Sequence, residues 1–531
     1  MVRGVWSASR PDAFLALEGE IVGRLGRNLV SNVVGQGLVT LLVLAAGRYL
    51  YGSLGADAFG VVFFAITLAS ALSAAFDLGL GATAVREVAA HRLRQPQHVV
   101  GLVRTAGLLC WGAVLVLSLI VLAAAPVLVT RWVRLSDLSP ERAVWALRLV
   151  AVGGLLALPR TLYTNVLRGL ERMDLSNAID VGAQAVQQSG TVLLVRAGVP
   201  LETLVAWLAL SQLGWCLAHG GAVARQLGSG VLRPGWDRAA VERNLRFGGH
   251  LTAASILAVI YTQADRLIAS HLLPIAVFGS YTFGYSGVTR ATLLTSAVAN
   301  AAYPSFAALF AEGDRARLMA RYQSLQEFVC LGIAPLFAAV PFLVRPVATI
   351  IFNAEVAASL VVPLSLVSLG YYLSGTLAML YVFSLAAGRP DLSVRQNLIT
   401  LPVVLPLTAL LISRLGLTGA GASWVLYNVL GYAWGGRRAN RECLQLPVRR
   451  WLAPLGRAAA LAAVTYGPAL AMAAGRSLRG AVAAYLLGTA AFAAGAVLVA
   501  GPELRAAVRT VTARRARGPE ADLREVRNQA L

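Results

Sequence analysis

The chain has 531 residues, of which 57% are hydrophobic and 51 are Gly, whereas only 13% are charged. Ordinary soluble domains carry roughly 25% charged residues, and no compact soluble fold has interior enough to hide this much apolar surface, which excludes a soluble enzyme, a disordered chain and a disulfide-rich secreted scaffold. The formal net charge is +21 and all 46 basic residues are Arg; they cluster between apolar stretches, as in cytoplasmic membrane loops rather than on a nucleic-acid surface.

Residues 1–27 alternate apolar and charged positions (Phe14, Leu15, Leu17, Glu18, Glu20, Ile21, Arg24). This predicts a short amphipathic helix on the cytoplasmic surface and no cleaved signal. A spanning helix needs about 20 mostly apolar residues. Such stretches fall near 28–50, 55–77, 103–130, 144–168, 174–196, 201–223, 247–270, 277–303, 326–351, 357–386, 394–413, 417–436, 453–475 and 480–501. The predicted fold is therefore an all-α, polytopic membrane protein with about 14 transmembrane helices. Six spans occupy 28–224, a basic linker 225–246, six more spans 247–440, two additional helices 441–501, and a basic tail 502–531. The tail is expected on anionic headgroups.

With the N-terminus inside, the inner segments hold 33 Arg and the outer loops 11. That bias puts both termini in the cytoplasm. The connection after the third span runs against it, with Arg131, Arg134, Arg142 and Arg148. Short matches relate the two halves. Arg27-Asn28-Leu29 opens the first span and Arg243-Asn244-Leu245 the seventh; Ala58-Phe59-Gly60 opens the second and Val277-Phe278-Gly279 the eighth. Six spans separate the copies, so the repeat is parallel, with a pseudo-two-fold axis along the membrane normal.

An ionisable group inside the bilayer is costly and needs a reason. Arg290 falls near the middle of the eighth span, either as an anion-binding group in a cavity or bonded to carbonyls of a neighbouring helix. Arg48 ends the first span and Asp265-Arg266 sit at the corresponding point of the seventh. Snorkelling accounts for both Arg residues, while Asp265 pairs with an Arg or serves as a coupling-ion site. Arg160 and Asp180 lie at equal depth on adjacent antiparallel spans, which predicts an ion pair. Gln184, Gln187 and Gln188 form a polar stripe on the fifth span, facing a cavity or bonding helices together. Asp77 ends the second span, where it caps the next turn or meets Arg86.

Catalytic patterns are weak. Gly79-x-Gly81-x-x-Ala84 has no preceding strand and is not a dinucleotide loop. The five His are scattered along the chain, and Cys110, Cys216, Cys330 and Cys443 have no metal spacing. Free thiols, no metal, no cofactor and no catalytic residue are expected.

Several segments, taken in order, resemble the polysaccharide or oligosaccharide flippase family of the multidrug/oligosaccharidyl-lipid/polysaccharide exporter superfamily. They are Phe76-Asp77-Leu78-Gly79-Leu80, Val85-Arg86-Glu87-Val88-Ala89, Gln263-Ala264-Asp265-Arg266-Leu267-Ile268, Leu273-Pro274, Phe278-Gly279-Ser280-Tyr281-Thr282, Tyr303-Pro304-Ser305-Phe306, Ala386-Ala387-Gly388-Arg389-Pro390 with Asn397, and Gly419-Ala420-Gly421-Ala422-Ser423-Trp424. The resemblance covers about residues 24–440. It implies two six-helix bundles in a V around a central cavity, with two further C-terminal helices as in some relatives. It also implies a cargo, a polyprenyl-diphosphate-linked glycan moved from the inner to the outer leaflet of a bacterial cell membrane. Family cavity Arg residues are associated with the diphosphate; here Arg290, Arg48 and Arg266 occupy comparable places. The expected partners are that glycan, membrane lipids, glycosyltransferases and a glycan polymerase, with no nucleic acid. A small-molecule antiporter on a similar scaffold, a membrane glycan polymerase or ligase, and an assembly protein without transport stay open at this point.

Overall fold

The computed structural model describes residues 40–76, 80–237, 262–473, 475, 477–502, 504 and 505. The amphipathic segment 1–27, Asp77, the repeat segments Arg27-Asn28-Leu29 and Arg243-Asn244-Leu245, and the tail from 506 onward lie outside the described residues.

The described chain is almost wholly helical. The elements of the first half are α1 (40–54), α2 (Ala56–Ala75), α3 (Leu80–His91), α4 (Pro96–Val127), α5 (Pro140–Leu155), α6 (Ala157–Gly169), α7 (Met173–Arg196) and α8 (Leu201–Leu227). The second half holds α9 (262–272), α10 (Ile275–Thr289), α11 (Thr292–Glu312), α12 (Arg315–Gly332), α13 (Ala334–Ile351), α14 (Ala354–Ala386), α15 (Asp391–Leu415) and α16 (Leu417–Leu430). Beyond α16 the helix widens into π turns at Gly431–Gly436 and Asn440–Leu444 around a short α17 (Arg437–Ala439). Two further helices, α18 (Val448–Ala473) and α19 (Leu478–Val499), close the described chain.

Among the described residues nine helices, with bent ones counted once, are long and apolar enough to cross a membrane. They stand at nine of the fourteen predicted places. Of the rest, α1 and α9 are described in part, α16 is short, and α7 and α18 are broken up by polar or Arg positions. Exposed Leu115, Val116, Leu119 and Ile120 form an outward apolar face on α4, the inverse of a soluble surface and suited to lipid.

Packing follows the halves. In the first, α5 lies on α2 and α8, and α6 on α3 and α8; in the second, α14 is central to α10, α11, α13 and α16. The two C-terminal helices pair with each other and lean on α12 and α13. The buried clusters are unequal along the helices. One joins both halves, with Phe64, Leu147 and Ala69 beside Phe278, Tyr281 and Leu364. Among the described residues, the halves have separate cores at the other end: Val88, Val103, Tyr163 and Val223 in one, Phe306, Tyr322, Phe337 and Phe383 in the other. The halves thus meet at the end holding the starts of α2 and α10, which the Arg count places outside.

The predicted eighth span is not a single rod. It bends at Arg290, between α10 and α11. The bend carries no Pro; Pro304, Pro341, Pro363, Pro402 and Pro406 all lie inside continuous helices.

Candidate functional site

The seam between the halves is built on the repeat. Gly60 and Gly279 sit where α2 crosses α10. A Cβ on Gly60 would strike the Ile275 carbonyl, and one on Gly279 would strike the Gly60 backbone. Only glycine lets these helices approach so closely. Phe59 and Phe278, the residues before each glycine, are fully buried. Around them Tyr51, Phe59, Phe63, Phe283 and Phe352 interlock edge to face or tilted, with Phe59 and Phe283 centroids 5.7 Å apart. Gly47 of α1 makes room for the Phe283 ring. Asp57 in the first turn of α2 accepts backbone bonds from Ser136, Asp137 and Leu138 at 2.6, 2.7 and 3.2 Å. That fixes the Arg-rich 131–139 connection against the seam. Trp132 donates to Ser270 at 3.0 Å, and the Ile275 amide donates to the Arg134 carbonyl at 3.1 Å. Apolar interlock and these backbone hydrogen bonds make the seam largely apolar among the described residues.

Arg290 lies one step beyond this seal. It caps α10 at the bend, half-buried, and its Nη1 is 3.4 Å from Thr40 Oγ1 on α1. Seven residues separate Phe283 from Arg290 and Thr40 from Gly47, about 10 Å of helix on each side. The guanidinium therefore stands between the halves where their shared core ends. No carboxylate pairs with it among the described ion pairs.

Arg48 and Arg266 do not join it. Arg48 is exposed on α1, about 12 Å along the helix from Thr40. Arg266 is absorbed by its own half: its guanidinium stacks on the Tyr285 ring at 4.7 Å and donates to the Thr262 carbonyl at 3.1 Å and Gln263 Oε1 at 2.5 Å. Beside it Asp265 is 7% exposed. Its Oδ1 accepts from the Arg266 amide at 2.8 Å, but Oδ2 is buried with no partner among the described residues. Tyr285 and Tyr371 share a 2.7 Å hydroxyl bond, while the Tyr281 hydroxyl is also unpartnered. This cluster concentrates unmet hydrogen-bonding capacity in a dry core, at a cost of several kcal/mol for an isolated charge.

In the first half, Arg160 and Asp180 come to one layer but not into direct contact. Trp215 stands between them: the Arg160 guanidinium lies 4.0 Å over its ring, and its Nε1 donates to Asp180 Oδ1 at 3.0 Å. Arg160 donates to Gln212 at 2.9 Å, and buried His219 places Nε2 3.5 Å from Asp180. The predicted ion pair is thus a relay through an indole, because the bulk of Trp215 on α8 fills the gap between α6 and α7. Gln187 is buried and its carbonyl accepts from Trp207, while Gln184 and Gln188 bond each other at 3.2 Å. On the described residues the glutamine stripe serves helix contacts.

Sequence reading passed over other groups. Glu327 on α12, 3% exposed, accepts from the Gly501 amide at 2.9 Å and pairs with Arg457 at 2.5 Å. It ties α18 and the end of α19 to the second half. An acid and an Arg, each near the start of its predicted span, are the only sequence signal. At the other helix ends, Arg438 and Arg389 hold the Glu442 carboxyl below its usual range through hydrogen bonds at 2.7 and 2.6 Å. Glu87, His91 and His98 come together at the α3–α4 turn.

Comparisons with known proteins agree with this architecture. The profile described as "Polysaccharide biosynthesis protein" matches residues 25–310. A putative O-antigen transporter of Shigella flexneri is 21% identical over 409 residues, 76% of this chain and 95% of that one. Among solved structures, the inward-facing conformation of a multidrug resistance MATE family transporter of the MOP superfamily superposes with a TM-score of 0.62 at 16% identity, covering 76% of this chain and 95% of the other. The lipid II flippase MurJ in an inward closed conformation gives 0.68 at 11% identity, covering 87% and 97%.

Proposed function

Because the chain belongs to the polysaccharide biosynthesis protein family, within the MOP superfamily of polytopic membrane transporters, we propose that it translocates a polyprenyl-diphosphate-linked glycan across the bacterial cell membrane by alternating access. The observation that carries this reading is Arg290, a guanidinium with no carboxylate partner among the described residues, at a helix bend between the halves just inside the apolar seal. In this reading the described state is the inward-facing arm of the cycle, two six-helix bundles in a V with fourteen spans and both termini cytoplasmic. The seam at Gly60 and Gly279 closes the outer side.

The physical problem is charge. A lipid diphosphate carries about two negative charges that must leave bulk water. A planar guanidinium in a wet cleft offers bidentate, charge-assisted bonds to phosphate and offsets lost hydration. The isoprenoid tail stays in lipid while glycan and diphosphate pass between the bundles. Arg290 meets the headgroup. Arg48 holds the outer interface, and Arg266 organises the Asp265 cluster. That cluster supplies the drive: an unmatched carboxylate oxygen in a dry core takes up a proton or small cation as the transporter cycles. Glycosyltransferases that build the cargo and a polymerase that consumes it complete the setting.

Asp265 is also the observation that favours a second reading, an ion-coupled antiporter for a small drug on this scaffold. Purified protein in liposomes separates the two. Under the first reading a labelled lipid-diphosphate sugar crosses to the opposite leaflet and cationic drugs do not accumulate. Drug exchange against an ion gradient with no movement of the lipid would establish the second.

A further inference from the structure

We propose that Glu87, His91 and His98 form a binding site for a zinc-class divalent cation at the turn between α3 and α4. Glu87 and His91 are four residues apart on the last turn of α3, so they share a face. His98 enters from the first turn of α4, across the Arg92–Gln95 turn. The three ligand atoms all lie within 4.8 Å of one another. Glu87 Oε2 is 3.5 Å from His91 Nδ1 and 3.4 Å from His98 Nε2. Those distances are long for hydrogen bonds. They match the edge of a tetrahedron around zinc, about 3.3–3.6 Å for metal–ligand bonds of 2.0–2.2 Å.

The surroundings fit a ligand set. The other carboxylate oxygen, Oε1, is held by Arg86 Nη2 at 2.9 Å, leaving Oε2 to face both imidazoles. Such an outer partner orients a ligating carboxylate. The rings stand edge to face with centroids 5.0 Å apart. His91 Nδ1 also lies 3.1 Å from the Glu87 carbonyl, a bond the neutral ring exchanges for the metal. Two neutral imidazoles and one carboxylate are a zinc-type donor set with a fourth position for solvent. The bound ion pins the end of α3 to the start of α4.

The test is a Co²⁺ titration of full-length protein, purified in detergent with a histidine-free tag. The expected result is one equivalent bound with the visible ligand-field band of a four-coordinate nitrogen/oxygen site, displaced by Zn²⁺. Affinity should fall by about 100-fold in His91→Gln/His98→Gln and by roughly tenfold in Arg86→Gln. His98→Gln alone keeps the test decisive if the double variant does not fold. The proposal is overturned if wild type takes up no stoichiometric Co²⁺. It is equally overturned if wild type and variants bind alike, or if the band carries the charge-transfer intensity of cysteine ligation.

Discussion

Arg48 and Arg266 occupy the same point of the two repeat copies, and their fates are opposite. Arg48 stands exposed on α1, next to a glycine that admits the Phe283 ring. Arg266 lies on Tyr285 inside its half, next to a carboxylate with one unmatched oxygen. The repeat has kept the backbone crossing, with Gly60 against Gly279, and has let the side chains diverge. Pseudo-symmetry therefore explains the seal, and its departures locate the chemistry. In the proposed cycle the charged positions that differ between halves, Arg290 and Asp265, serve cargo and drive.

The largest effect should come from breaking the symmetric element. Gly60→Ala forces α2 off the Ile275 carbonyl, an overpacking cost of about 1–3 kcal/mol, and should abolish surface glycan export. Gly52→Ala, with no neighbour to meet, should be neutral or slightly stabilising in the same thermal-melt and export assays. Equal behaviour of the two would break the comparison.

Next come the asymmetric charges. Arg290→Ala should lower export at least about tenfold, the loss of one charge-assisted bond of 1.5–3 kcal/mol, whereas Arg48→Ala should stay within about twofold by the same reasoning. Surface-glycan blots with each variant as the sole copy read this directly. Asp265→Asn should fold at least as stably as wild type, since it removes a buried charge lacking full pairing. Its export should become insensitive to the driving ion gradient; retained gradient dependence would remove Asp265 from coupling.

The smallest effect concerns the first half's indole relay. A double-mutant cycle on Arg160→Ala and Asp180→Ala should give a coupling of about 0.5–1 kcal/mol. That coupling should vanish in a Trp215→Leu background. Persistence there would mean the two groups couple without the indole.

Much of this was legible in the sequence. Apolar runs of bilayer length marked the helices, and the Phe-Gly pairs marked the repeat. Arg290 stood out because charge inside a span is rare. What stayed hidden depends on contacts between distant segments. That Gly60 and Gly279 touch each other follows from helix crossing, not spacing. Equal depth placed Arg160 beside Asp180, but only the third helix shows Trp215 between them. Glu327 and Arg457 come from spans far apart in the chain, and each looks like an ordinary end-of-span charge until α18 and α19 fold back on α12. The bend at Arg290 has no Pro to announce it.

The most direct test is accessibility at that bend. Ala291→Cys is made with Cys110, Cys216, Cys330 and Cys443 replaced, and right-side-out and inside-out vesicles are treated with a membrane-impermeant maleimide. The account predicts labelling from the cytoplasmic side, slowed by added lipid-diphosphate sugar. Labelling only from outside, or none from either face, would contradict it.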